Sequence, residues 1–161
     1  MRMNLDKWKE NLRRYNITNK QFEKEKKEIS KRFKKEASDG DVIWSLFNKL
    51  VSNHINDFAK LSHIYFEMAL FMKEEGKNPY DMKCQSTKMQ LLDFKQRGVK
   101  KVRWVASHGS RTCKKCERLN NKIYSIEKAL KEIHLPLKDC KNLEDGCRCM
   151  WVASGAECIS F

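Results

Sequence analysis

Thr112-Cys113-Lys114-Lys115-Cys116-Glu117, followed by Cys140 and then by Cys147-Arg148-Cys149, is the stretch that decides how this chain folds. Five of the seven cysteines lie between positions 113 and 149. A C-x-x-C pair sets two thiolates on one turn, where a single tetrahedral ion can chelate both, and a distant group supplies the remaining ligands at about 2.3 Å. Soft sulfur donors exclude Mg²⁺ and Ca²⁺, and the spacing between the groups suits zinc rather than an iron–sulfur run. One structural zinc is therefore expected, with Cys113 and Cys116 as the first pair and Cys140 as the third ligand. The fourth is Cys147 or Cys149. If Cys147-Arg148-Cys149 opens a strand, both sulfurs leave on one face and Arg148 on the other, so spacing does not choose between them; Cys147 is the preferred reading. His134 is a reserve ligand, although a lone histidine beside Leu135-Pro136 reads more simply as a turn or packing residue. Cys84 and Cys158 stand apart and read as buried thiols.

Two other uses of these cysteines fit less well. A disulfide framework belongs to exported chains, and Met1 to Tyr15 is charged, without the apolar core of an export signal. Reduced thiols and a cytoplasmic location are the corresponding expectation. A thioredoxin-like pair needs its C-x-x-C to open a helix in a βαβ unit, and it would leave three clustered cysteines unexplained.

The chain has 161 residues, enough for one domain or a domain with a helical arm. Its 34 basic and 21 acidic residues give a net charge of +13, unevenly spread. Residues 1–40 carry +6, 41–94 carry −1, 95–118 carry +8 and 119–161 carry none. The positive focus is the approach to the C-x-x-C: Lys95, Arg97, Lys100, Lys101, Arg103, Arg111, Lys114, Lys115 and Arg118. Such a patch suits phosphates of a nucleic acid or an acidic protein surface, while a plainly solvated lysine-rich face is the simpler alternative. No stretch is apolar enough to span a membrane, and no motif for a small-molecule substrate stands out.

Hydrophobic periodicity gives the rest. Leu5, Trp8, Leu12 and Tyr15 recur at helical spacing, and Thr18 with Gln21 has the form of a capping box for a second helix over about 19–37. That helix is thinly apolar, with Phe22, Ile29 and Phe33 among dense Lys and Glu, and reads as solvated. Ser38-Asp39-Gly40-Asp41 ends it and caps the next. From Val42 to Glu75 a broad stripe, including Phe47, Val51, His54, Phe58, Leu61, Tyr65, Met68 and Met72, predicts a core helix, or two with a kink. Leu46, Leu50, Ile55, Ile64, Ala69 and Phe71 widen it. His54 on this seam reads as a hydrogen-bonded buried histidine. Gly76 and Pro79 stop the run. A further helix is expected from Asp81 to Gln96, with Cys84, Met89, Leu92 and Leu91 as its inward candidates, ended by Gly98. After Gly98 the period becomes two: Val99 to Ala106 reads as a half-buried strand, Ile123 to Ile126 as a second, Glu127 to Ile133 as a short helix and Arg148 to Ala153 as a closing strand. The expected fold is mainly helical with a small zinc-stabilised α+β C-terminal module. It comprises a basic helical arm (1–40), a helical core (41–97) and a zinc module (98–161). Strands this short bury too little apolar surface to hold together alone, so the ion would take the place of missing core.

The order Arg111-Thr112-Cys113-Lys114-Lys115-Cys116-Glu117-Arg118-Leu119, a short helix, Leu135-Pro136-Leu137, Cys140 and a closing Gly146-Cys147-Arg148-Cys149 resembles the C-terminal zinc-type module of Mu F-type minor head (head morphogenesis) proteins of tailed phages. Gln96 to Trp104 fits as the strand feeding that module. The resemblance spans about 93–152, and related modules also end uncharacterised bacterial proteins. It implies a phage or prophage origin, a bacterial host cell or a virion as location, and a non-enzymatic assembly role. Where the family usually offers a histidine soon after a proline, this chain has Cys140. A second resemblance is to HNH endonucleases of treble-clef type, through Cys113/Cys116, His134-Leu135-Pro136-Leu137 and Asn142-Leu143. Those enzymes need an Asp-His pair and a later metal-holding residue; here Ile133 precedes His134 and no histidine follows it. No other catalytic constellation is present in the sequence.

Overall fold

The computed structural model describes residues 4–107, 112–132, 135–140 and 147–155. Seven helices and three strands occur among them: α1 (Leu5–Arg13), α2 (Asn19–Phe33), α3 (Asp39–Asn53), α4 (Phe58–Glu74), α5 (Tyr80–Gln96), β1 (Lys101–Val105), α6 (Lys114–Leu119), β2 (Ile123–Ser125), α7 (Ile126–Glu132) and β3 (Met150–Ser154). The chain is thus mainly helical, with a small antiparallel sheet of order β2-β1-β3 near the C-terminus.

Local chemistry places most of the boundaries. Thr18 and Gln21 exchange the two bonds of a capping box at the start of α2, and Ser38 and Asp41 do the same for α3, so orphan donors at both N-termini are satisfied. Gly76 and Gly98, at φ of 71° and 83°, turn the chain out of α4 and α5 through the left-handed region that glycine enters without steric cost. α2 stops at Lys34 in the same region, short of the expected Ala37.

The long stripe from Val42 to Glu75 forms two helices. They are separated at His54 to Asp57, where Asp57 accepts from Lys60 N as the N-cap of α4. The break turns Ile55 out to 64% exposure, so it does not join the stripe, and leaves His54 half-buried at the end of α3. The core it was read into is built instead from Val42, Ile43, Leu46, Phe47 and Leu50 of α3 and Ile64, Met68 and Phe71 of α4. Trp8, Leu12 and Phe22, from the segment read as an arm, are buried in that same core. Trp8 meets Phe71 edge-on at 5.2 Å, and its indole nitrogen donates to Glu74 at 2.6 Å. α2 also buries a carboxylate: Glu25 accepts from Ser45 at 2.6 Å and pairs with Lys49. Burial pushes the Glu25 carboxyl up, but the bonds from Lys49 and Ser45 outweigh it and hold it below its ordinary value.

α5 packs along α4 and also meets α7 and β3, so it faces both halves. Its close approach to α4 uses small polar residues. Ser86 donates to Ser62 O at 2.8 Å and Ser62 to Ser86 O at 2.9 Å, leaving Ser86 and Leu91 as the buried positions while Cys84, Met89 and Leu92 are only half-buried. A second core lies beyond it, formed by Leu91, Val102, Trp104, Ala106, Cys116, Ile126, Ala129, Leu135, Cys147 and Trp151. No described helix is long and apolar enough to cross a membrane.

Candidate metal centre

The register of the sheet carries the cysteines to one place. Trp104 of β1 opposes Trp151 of β3, and the two rings pack edge-to-face at 5.4 Å on the buried side. Cys149 and Cys147 lie two and four positions before Trp151, on the approach to β3, and Cys147 is buried beside that core. On the other side of β1, Asn120 Oδ1 accepts from Ala106 N at 3.0 Å and Asn121 N donates to Trp104 O at 2.8 Å, which fixes the end of α6 against the sheet. The C-x-x-C opens α6, with Cys113 as its N-cap: Cys113 Sγ accepts from Cys116 N at 3.4 Å. A C-x-x-C at a helix start was the mark expected of a redox pair, yet this helix feeds an antiparallel sheet and not a βαβ crossover.

The sulfurs converge on Cys116, which is 2% exposed. Its Sγ lies 3.7 Å from Cys140 Sγ and 3.7 Å from Cys147 Sγ, and Cys140 Sγ lies 3.7 Å from Cys113 Sγ. A tetrahedron with metal–sulfur bonds of about 2.3 Å has edges of about 3.8 Å. Disulfide bonds would be about 2.05 Å, and none of Cys113, Cys116, Cys140, Cys147 and Cys149 is joined in one. Two triplets, Cys113/Cys116/Cys140 and Cys116/Cys147/Cys149, each keep their sulfurs within 4.8 Å of one another, with Cys116 common to both. The cluster can therefore hold a metal ion. His134 and Cys158 lie outside the described residues.

The electrostatics of the site follow from crowding. Burial, followed by the neighbouring Cys113 sulfur, pushes the Cys116 thiol far up. The Cys147 thiol is raised as well, first by its bond with Cys149 and then by burial, while the backbone N–H groups of Leu137 and Cys149 act in the opposite direction. Sulfurs packed this way resist ionising together, and a cation among them reverses that balance. The N–H donors at Cys147, like the one at Cys113, suit thiolate ligands.

The basic residues are more dispersed than their spacing in the chain implies. Lys95 pairs with Glu127 at 2.8 Å, Lys115 with Asp139 at 2.6 Å, and Arg97 with Asp93 one turn back while lying over the Phe94 ring at 5.3 Å. Lys95, then Lys131 and Lys100, hold Glu127 below its ordinary value despite some desolvation. Lys101 and Arg103 project from the exposed face of β1, and Lys114 is exposed on α6. Arg111 lies outside the described residues. Sequence reasoning did not find the cleft of about 850 Å³ between α2 and α3, lined by Ile29, Phe33, Trp44 and the Glu25–Lys49 pair. Phe33, 67% exposed at its edge, was read instead as part of a helical stripe. Compared with known proteins, the chain matches no family model, no curated protein and no solved structure.

Proposed function

We propose that this chain is a non-enzymatic binding or assembly module whose C-terminal part is held by one zinc ion, with Cys113, Cys116, Cys140 and Cys147 as ligands and Cys149 as a fifth sulfur at the site's edge. The convergence of the sulfurs on buried Cys116 carries this reading. Four thiolates fill a tetrahedral shell and leave no position for water or substrate, which is the arrangement of a structural rather than a catalytic site. The N–H donors aimed at Cys147 favour it over Cys149 as the fourth ligand. A thiol-rich site of this kind belongs in a reducing compartment. The order of strand, C-x-x-C helix, strand, helix and C-R-C strand supports extending the resemblance to phage head-morphogenesis modules into an assembly role for this chain, and the exposed basic residues supply a surface for a nucleic acid or an acidic protein.

Freshly purified reduced protein should contain one zinc per chain by elemental analysis. Stripping it with a strong chelator should raise amide hydrogen exchange across β1, β3 and α6 while α3 and α4 stay protected, because the second core includes the ligands Cys116 and Cys147 whereas the helical core contains no cysteine. A preparation with no thiophilic metal, or one whose exchange is indifferent to chelation, would sink the reading.

A further inference from the structure

The outer face of the sheet is built differently from any other exposed surface among the described residues. Opposed residues in an antiparallel sheet share a face. Arg103 is opposed by Ile123 on β2 and by Val152 on β3, Lys101 by Ser125 and Ser154, and Val105 by Met150. Ile123, Met150 and Val152 are 52%, 52% and 42% exposed, and they make up half of the large apolar side chains that the described residues expose. Scattered exposed aliphatics need no explanation, but three on one small sheet with a guanidinium set between two of them form a surface. Among the described residues, neither Arg103 nor Lys101 has a carboxylate partner, whereas Lys95, Arg97 and Lys115 are all paired.

We infer that this face docks an acidic protein segment bearing aliphatic side chains. The charge decides against a second copy, since a face-to-face pair would set Arg103 and Lys101 of each chain against their like. The composition decides against nucleic acid, because surfaces for single strands present aromatic rings for stacking and those for duplexes present dense cations. Here the sheet's aromatic residues, Trp104, Tyr124 and Trp151, sit on the inner side, where their rings pack together. What remains is one fork-shaped donor suited to a carboxylate, a lysine beside it, and an aliphatic floor of Ile123, Val152 and Met150. The inference rests on the metal-held fold proposed above and names the partner of its surface.

The test uses the full, zinc-loaded, reduced chain and a dye-labelled peptide of alternating glutamate and leucine, followed by fluorescence anisotropy. Alternating glutamate–serine and lysine–leucine peptides and a duplex DNA serve as comparisons. The glutamate–leucine peptide should bind saturably and the other probes weakly. Arg103→Glu and Val152→Ser should each weaken it about tenfold, as central anchors do, with zinc content unchanged. Arg103→Glu should in turn gain affinity for the lysine–leucine peptide. Full zinc content with no peptide binding overturns the inference and leaves the metal reading intact. DNA that competes for the face and is lost with Arg103→Glu, or a dimer broken by Val152→Ser, overturns it too. Loss of zinc from the unmodified chain would instead strike at the metal reading.

Discussion

Replacing Cys116 by serine removes the sulfur common to both cysteine triplets, and its effect can be worked from the geometry. A structural zinc site contributes about 10–16 kcal/mol of apparent binding free energy at neutral pH. Shared over four thiolates, that is roughly 2.5–4 kcal/mol each, so losing one should weaken zinc binding by roughly 10²- to 10³-fold. Cys116 is buried and common to both triplets, with Cys140 and Cys147 both 3.7 Å away, so its loss breaks both at once. Cys147 is a different case. Cys149 already has its sulfur within 4.8 Å of Cys116, so in Cys147→Ser it can move into the vacated corner, and the loss should be held to about tenfold. Competition against a chromophoric chelator measures both constants on protein that is otherwise intact. The reasoning fails if Cys116→Ser keeps the parent affinity, or if Cys147→Ser loses as much as Cys116→Ser.

Two further outcomes concern the helical half. Phe71→Ala empties a 2% exposed site against Trp8 and Phe47 and should cost about 3–5 kcal/mol in denaturant unfolding of α1 to α4, with zinc affinity unchanged; a cost below about 1 kcal/mol would contradict the packing. Glu25 and Glu74 have folded-state carboxyls below their ordinary values, in each case because bonds from a lysine and a second donor outweigh desolvation. Their stabilisation is therefore complete above the unfolded-state pKa and disappears as the pH falls through the depressed folded value. Thermal stability of the helical half should decline through the acid range, and Glu25→Gln should flatten that decline while lowering stability at neutral pH; an unchanged acid slope would remove Glu25 from the account.

What the sequence made legible was local. Both capping boxes, the left-handed glycines 76 and 98, the alternation of Val102, Trp104 and Ala106, and the gathering of Cys113, Cys116 and Cys140 with the Cys147/Cys149 pair each depend on residues whose spacing states the geometry. The stripe from Val42 to Glu75 allowed for two helices, but the place of the break at His54 to Asp57 was hidden because the stripe keeps its phase across it, and the capping Asp57 was the signal that could have shown it. Ser62 with Ser86, and Glu25 with Ser45 and Lys49, join residues on different helices, so no window along the chain contains them. The ion pairs within the basic run from 95 to 118 were partly illegible for the same reason. Arg97–Asp93 is one helical turn apart and was readable, but the acids that pair with Lys95 and Lys115 come from α7 and from Asp139, fixed only by the tertiary fold.

The four tryptophans divide evenly: Trp8 and Trp44 belong to the helical half, and Trp104 and Trp151 to the sheet. The sheet pair is essentially fully enclosed, and among the described residues no acceptor reaches either indole nitrogen. An indole so placed has neither water nor a hydrogen-bond acceptor at its nitrogen to relax around its excited state, so this pair should emit towards the blue end of tryptophan fluorescence, whereas half-exposed Trp44 emits further to the red. The chain thereby contains two optical signals of different colour, one for each half, and a single emission spectrum recorded during unfolding can tell which half has opened first.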